Sequence, residues 1–186
     1  HVALDYASGK LEKKQAYTDY LLAREPAPAS GKLHDAPWLM KAPLDLTKRD
    51  GKPLLVLFEQ KVCAGCDEMH AEGFPRPEVA ALLQRYRAAR VDIAANEVLK
   101  TPNGKSLPMR DWARQLKIIY TPSFVFFDAG GREVFRVEGY LRPFHLASSL
   151  DYVASGAYRK QPEFQRFIEA RAAARREKGE KIELMK

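Results

Sequence analysis

The chain has 186 residues, 46% of them hydrophobic, enough for one domain with a real core and appended segments and without a disulfide scaffold to hold it. No apolar stretch approaches the length of a membrane span. The 31 basic and 24 acidic residues leave +7, but residues 157–186 alone hold nine basic and five acidic side chains in a mixed helical pattern. That describes a solvated face favourable to acidic proteins rather than a phosphate-binding stripe, so nucleic acid is not an expected partner. The chain opens at His1 with neither an initiator methionine nor a signal-peptide apolar region, as expected of a polypeptide whose leader has been removed or replaced by a tag.

In chain order, Leu11 to Leu22 reads as a short helix, and Glu25-Pro26-Ala27-Pro28-Ala29-Ser30-Gly31 as an extended connector outside the core. Residues 36–50 lead into the domain with Trp38 and Leu39 as apolar anchors, and Arg49-Asp50-Gly51-Lys52 turns into a strand, Pro53 to Phe58. That strand is an unbroken apolar run, the pattern of a strand covered on both faces. Two cysteines follow, the only ones in the chain, as Cys63-Ala64-Gly65-Cys66. A helix runs on through Glu72 and ends at Gly73, another opens at Pro77, and Ala88 to Ile93 returns as a strand, an order that implies parallel pairing.

Residues 94–107, with Pro102, Asn103 and Gly104, read as a loop or insertion, and Pro108 to Leu116 as a helix burying Trp112 and Leu116. Ser123 to Asp128 is a strand, joined by the turn Ala129-Gly130-Gly131-Arg132 to an antiparallel one, Glu133 to Val137. A helix opens at Pro143 and stops at Gly156. A last helix opens at Pro162, with Phe164, Phe167 and Ile168 as an apolar stripe and Arg171, Arg175 and Arg176 toward its end. The simplest reading docks this helix on the domain, and a partner-binding appendage is the alternative.

The cysteine pair sits where a strand gives way to a helix. A cysteine there faces unpaired backbone N–H groups and the positive end of the macrodipole, which favour a thiolate. Cys63 is thus the candidate attacking thiol, and Cys66, one turn on and more sheltered, the candidate resolving thiol that closes the disulfide and releases the partner. Metal binding is an alternative, since His70, four residues beyond Cys66, can share its helix face. Zinc, however, usually takes four ligands, and His1, His34 and His145 are the only other histidines. A purely structural disulfide would close too short a loop to restrain much chain entropy.

The element order, the CxxC after the first core strand and Tyr120-Thr121-Pro122 before a later strand together resemble the thioredoxin fold: an α/β architecture with a central mixed sheet flanked by helices, here with N-terminal and C-terminal helical extensions. More closely, Lys52-Pro53-Leu54-Leu55, Cys63 to His70, Thr121 to Asp128, Gly139-Tyr140 and Tyr158 to Phe167 are similar to the periplasmic thioredoxins encoded with bacterial sulfur-oxidation systems. Residues 1–37 would be a helix and linker, 38–156 the thioredoxin-like domain and 157–186 the helical extension.

The resemblance implies that Cys63 and Cys66 are the catalytic thiols. It also implies that Pro122 is the cis-proline facing them, with Thr121 offering backbone groups to a substrate strand. Leu57 stands where the family buries an aspartate, Val62 where it places tryptophan, Ala64-Gly65 where it has Gly-Pro, and Arg90 where a strand lysine is expected. An arginine cannot shuttle protons. Glu59, two residues beyond Leu57, is the candidate replacement for proton transfer if it points at Cys66, and otherwise a polar strand end. The expected activity is disulfide reduction in the periplasm on protein or sulfur-compound clients, sulfur-carrier proteins among them. A membrane thiol transporter would supply electrons, and no prosthetic group or metal is needed. A disulfide oxidase or isomerase uses the same motif.

Overall fold

The computed structural model describes residues 29–180, so the expected helix at Leu11 to Leu22 and most of the connector lie outside the described residues. Six strands and five α-helices follow in order: β1 (Leu54–Glu59), α1 (Ala64–Glu68), α2 (Pro77–Leu83), β2 (Arg87–Asp92), β3 (Val98–Lys100), β4 (Ser106–Pro108), α3 (Met109–Gln115), β5 (Ser123–Phe127), β6 (Glu133–Glu138), α4 (Pro143–Ala154) and α5 (Phe164–Glu177). The main sheet has the order β2-β1-β5-β6. β1 pairs parallel with β2 and antiparallel with β5, which pairs antiparallel with β6. This mixed sheet flanked by helices is the thioredoxin fold expected from the sequence.

Alternation along the central strand divides the core in two. Leu55 and Leu57 pack with Met69, Phe74, Phe124, Phe126, Leu146 and Leu150 on one side of the sheet. Leu54, Val56 and Phe58 pack with Leu46, Leu99, Trp112 and Val125 on the other. Every β1 residue is buried, as its continuous apolar run requires. Trp112 lies in this second cluster, while Leu116 is only half-buried at the end of α3.

Two expectations need correction. The stretch 94–107 is more than a loop: it holds most of a hairpin, β3 paired with β4, whose backbone at Lys100 bonds Leu44 and Leu46. The mixed polarity of Val98 to Leu107 hides it, because a three-residue strand is too short to show a period. The helix after the cysteines is also not uniform. It is α-helical only to Glu68 and then widens into a π-helical turn, Met69–Gly73, a form recurrent at functional sites.

The C-terminal helix is docked on the domain, as its stripe suggests. Phe164 packs on Phe135 and Tyr152 with ring centroids 4.6 and 5.0 Å apart, and Ile168 and Ala172 pack with Phe144. Arg171 pairs with both Asp151 and Glu78, and Arg175 Nη1 lies 2.8 Å from Glu78 Oε2, tying α5 to α4 and α2. Among the described residues, no helix is long and apolar enough to cross a membrane.

Candidate active site

β1 delivers the chain to the cysteines, and the short link Gln60-Lys61-Val62 turns it into α1. Cys63 is the N-cap of that helix: its backbone is extended (φ −150°), and its Sγ accepts a hydrogen bond from the Cys66 N–H at 3.1 Å. The Cys63 carbonyl accepts from the N–H groups of Cys66 and Asp67. The two cysteines are joined in a disulfide, with Cα atoms 5.2 Å apart. Cys63 is 6% exposed and Cys66 2%, the order of accessibility expected of an attacking and a resolving thiol. A sulfur aimed at amide N–H groups is stabilised as thiolate once reduced, the condition for nucleophilic attack on a disulfide.

The loop before β5 closes the front of the site. The Thr121–Pro122 peptide is cis, and a Cβ built on Gly65 would lie 3.2 Å from Pro122 Cδ and 3.7 Å from Tyr140 Cβ. That close approach explains glycine between the cysteines: a side chain there would press on the proline. The Pro122 carbonyl is engaged by the Gly139 N–H at 2.8 Å, whereas no backbone hydrogen bond among the described residues uses the N–H or C=O of Thr121. Thr121 thus keeps backbone N–H and C=O groups without a backbone partner among the described residues, beside the cysteine pair.

Around this turn stand exposed apolar side chains: Val62 and Ile119 at 73% exposure, Tyr120 at 64% and Tyr140 at 39%. Partial burial, with the Glu68 carboxylate nearby, pushes the Tyr140 phenol up to about 12, so it stays neutral. Large apolar residues gathered beside a buried disulfide suit contact with another polypeptide.

The back of the redox helix is polar. Glu59 follows Leu55 and Leu57 on the face of β1 that the helix covers. It is 1% exposed, and its Oε1 lies 2.9 Å from Nε2 of His70, itself 7% exposed. Glu59 Oε2 is buried with no hydrogen-bond partner among the described residues. The histidine that the sequence placed on the Cys66 face as a possible metal ligand thus has Nε2 committed to a carboxylate. No group of three or more potential metal-ligating side chains gathers among the described residues.

The His34 ring stacks on His70, centroids 4.7 Å apart, and its Nε2–H donates to Asp67 Oδ1 at 2.5 Å. Ser30 adds two bonds to Asp67, from N–H to Oδ2 at 2.6 Å and from the hydroxyl to Oδ1 at 2.7 Å. The His34 hydrogen bond first, and then those from Ser30, hold the Asp67 carboxyl at about 2. Arg90 is turned to this segment too, its guanidinium reaching the His34 carbonyl and Asp35.

Residues 30–38, read from sequence as connector and lead-in, are thus a strap across the redox helix. Asp67 and His70, three apart on one helix, could have been suspected as a polar face. His34, 33 residues before Asp67, carries no sequence signal that would place it there.

Residues 40–154 match the thioredoxin-like domain family. A thioredoxin-fold protein from Helicobacter pylori superposes with a TM-score of 0.61 at 16% identity, over 70% of this chain and 89% of that one. A thioredoxin from Thermus thermophilus matches at 28% identity with a TM-score of 0.46, over 60% of this chain and 81% of that one. No curated protein gives a significant match. The fold and the cysteine pair at the head of its redox helix suggest a thiol-disulfide oxidoreductase, and the family match over 40–154 shows that this chain belongs to the thioredoxin-like domain family.

Proposed function

We propose that the protein is a disulfide reductase working on protein or sulfur-compound disulfides in the periplasm, with Cys63 as nucleophile and Cys66 as resolving thiol. The observation that carries this reading is the Cys63 N-cap: the sulfur accepts a backbone N–H bond at 3.1 Å and lies beside a cis-proline loop whose Thr121 backbone has no backbone hydrogen bond among the described residues. In the forward direction the Cys63 thiolate attacks one sulfur of a client disulfide and the other leaves as a thiol. Cys66 then attacks Cys63, forming the intramolecular disulfide and releasing the second client thiol. The exposed Val62, Ile119, Tyr120 and Tyr140 offer the client an apolar landing surface.

The periplasm, the sulfur-carrier clients and a membrane thiol transporter as reductant rest on the resemblance to thioredoxins of sulfur-oxidation systems. Reduction of insulin, followed by turbidity with dithiothreitol as electron source, should depend on Cys63. Full activity in Cys63→Ser would overturn the assignment. Direction is read from the equilibrium potential against glutathione: a value toward roughly −270 mV fits a reductant, and one near roughly −120 mV would make the protein an oxidase.

A further inference from the structure

The main sheet ends at β2, and the outer edge of that strand is only partly covered. The Arg87 and Ile93 N–H groups donate to the Pro53 and Glu59 carbonyls. Every second residue of β2 therefore turns its N–H and C=O toward β1, and Ala88, Arg90 and Asp92 turn theirs outward. Leu39 bridges to Ala88, whose carbonyl accepts from the Met40 N–H at 2.7 Å, and the Asp92 carbonyl accepts from the Ala95 N–H at 3.1 Å. Between these two contacts, the N–H and C=O of Arg90 and the N–H of Asp92 have no partner among the described residues. The chain leaves the edge after Met40, since the Leu44 carbonyl is taken by the Lys100 N–H of β3.

A cavity of about 590 Å³ lies at that gap and wraps the edge of the sheet. Leu39 lines it from the redox-helix side of the sheet, and Met40, Leu44 and Met109 from the other side. Arg90 and Lys41 line it as well. Arg90, in register with Leu57, carries its side chain on the redox-helix side. Its acidic partner Asp35, 3.2 Å away, is 98% exposed, so that ion pair is worth little.

We infer that the β2 edge at Arg90 is a docking site for a short extended segment of a partner protein in which apolar and acidic side chains alternate. The inference does not depend on the redox assignment. Backbone groups at ladder spacing are met by another strand, whereas a small apolar ligand would leave them unmet. Ala88 to Asp92 spans roughly 13 Å at about 3.3 Å per residue, which sets a segment of about four residues. Along such a strand alternate side chains reach opposite sides of the sheet. One set meets Met40, Leu44 and Met109 and is apolar, and the other meets the Arg90 guanidinium and is acidic. Lys41 adds a second positive charge to the cavity, and the +7 balance of the whole chain favours an acidic partner in the same sense.

Amide hydrogen exchange of the dilute protein tests the edge itself. Arg90 and Asp92 should exchange on the order of 100-fold faster than Ala89 and Val91, whose N–H groups face β1. Protection of Arg90 equal to that of Val91 would show the edge already covered and would overturn the inference. The binding probe is a blocked pentapeptide in which valine and glutamate alternate. At up to about 1 mM it should slow exchange at Arg90 and Asp92 about tenfold, and no slowing overturns the proposal. N-methylation of the glutamates or of the valines removes the N–H groups of one peptide edge at a time. One analogue should bind like the parent and the other should not bind, so equal behaviour of the two overturns pairing by a strand edge.

The glutamine analogue tests the charge. It should bind wild type severalfold more weakly than the glutamate peptide, and Arg90→Gln and Lys41→Gln should each narrow that difference. Lys41 is exposed, so its variant keeps this comparison available if Arg90→Gln loosens the strap. Equal affinity of the two peptides for wild type overturns the acidic assignment. Sedimentation at rising protein concentration addresses the other occupant. Protection at Arg90 that grows with dimerisation in the absence of peptide would give the edge to a second copy of the chain and overturn the proposal.

Discussion

The two sides of the redox helix are built on opposite principles. Its front, where Gly65 meets Pro122, is rimmed by exposed Val62, Ile119, Tyr120 and Tyr140, and the nearby Thr121 backbone has no backbone partner among the described residues. Its back is sealed by Met69 and Phe74 in the core, by the Glu59–His70 pair and by the strap at Ser30 and His34. Exposed apolar surface and unused backbone groups stabilise nothing within the monomer and suit binding. A buried polar pair, with half-exposed hydrogen bonds outside it, fixes where the helix sits. A thiol that must meet many clients needs the first, and a thiol that must hold one geometry needs the second.

The sharpest way to break this division acts at the front. Cys66→Ser should stop turnover and leave the client covalently attached to Cys63, seen as an added mass under non-reducing conditions that dithiothreitol removes. The largest effect at the back is on stability. Phe74→Ala, which takes a 4%-exposed ring away from Trp38, His70 and Phe124, should cost about 3–5 kcal/mol in urea unfolding.

Gly65→Ala tests the contact between the cysteine turn and the proline loop. The new methyl lies 3.2 Å from Pro122 Cδ, so a helix-propensity gain of up to about 1 kcal/mol opposes a tight contact. Stability should change little while kcat/KM for a protein client falls severalfold. Replacing Tyr120 and Tyr140 by serine should raise KM for a protein client severalfold with kcat unchanged, and leave reduction of a small disulfide alone.

The smallest effect lies in the strap. Asp67 has a folded-state pKa lowered from 3.8 to about 2, so its contribution is fully present above the ordinary value and is lost as pH falls through about 2. The stability advantage of wild type over Asp67→Asn should therefore shrink between about pH 4 and 2. At neutral pH it should stay below about 1 kcal/mol, since the carboxylate is open to solvent screening. An advantage that persists unchanged to the acid limit would show that the strap owes nothing to this charge.

Much of this architecture is local and therefore legible in the chain. An apolar run long enough for a strand gives β1, proline at the first helical position starts α2 and α4, and the Gly130-Gly131 turn joins β5 to β6. Where the signal is short or non-local it fails. The three-residue strands β3 and β4 are below the length at which alternation can be seen, and the π-helical turn at Met69 has a composition indistinguishable from α-helix.

By itself the sequence determined the sheet-and-helix order and the placement of Cys63 at a helix start, because strand periodicity, helix capping and motif spacing act over a few residues, while Pro122 and Glu59 were singled out by the resemblance to a known family. Only the tertiary structure decided that Glu59 is bonded to His70, that His34 and Ser30 cross 33 and 37 residues of chain to hold Asp67, and that Arg90 serves the strap. Those partners are chosen by where the sheet and the redox helix bring distant segments together, and a hydrogen bond between residues far apart in the chain leaves no pattern in either one alone.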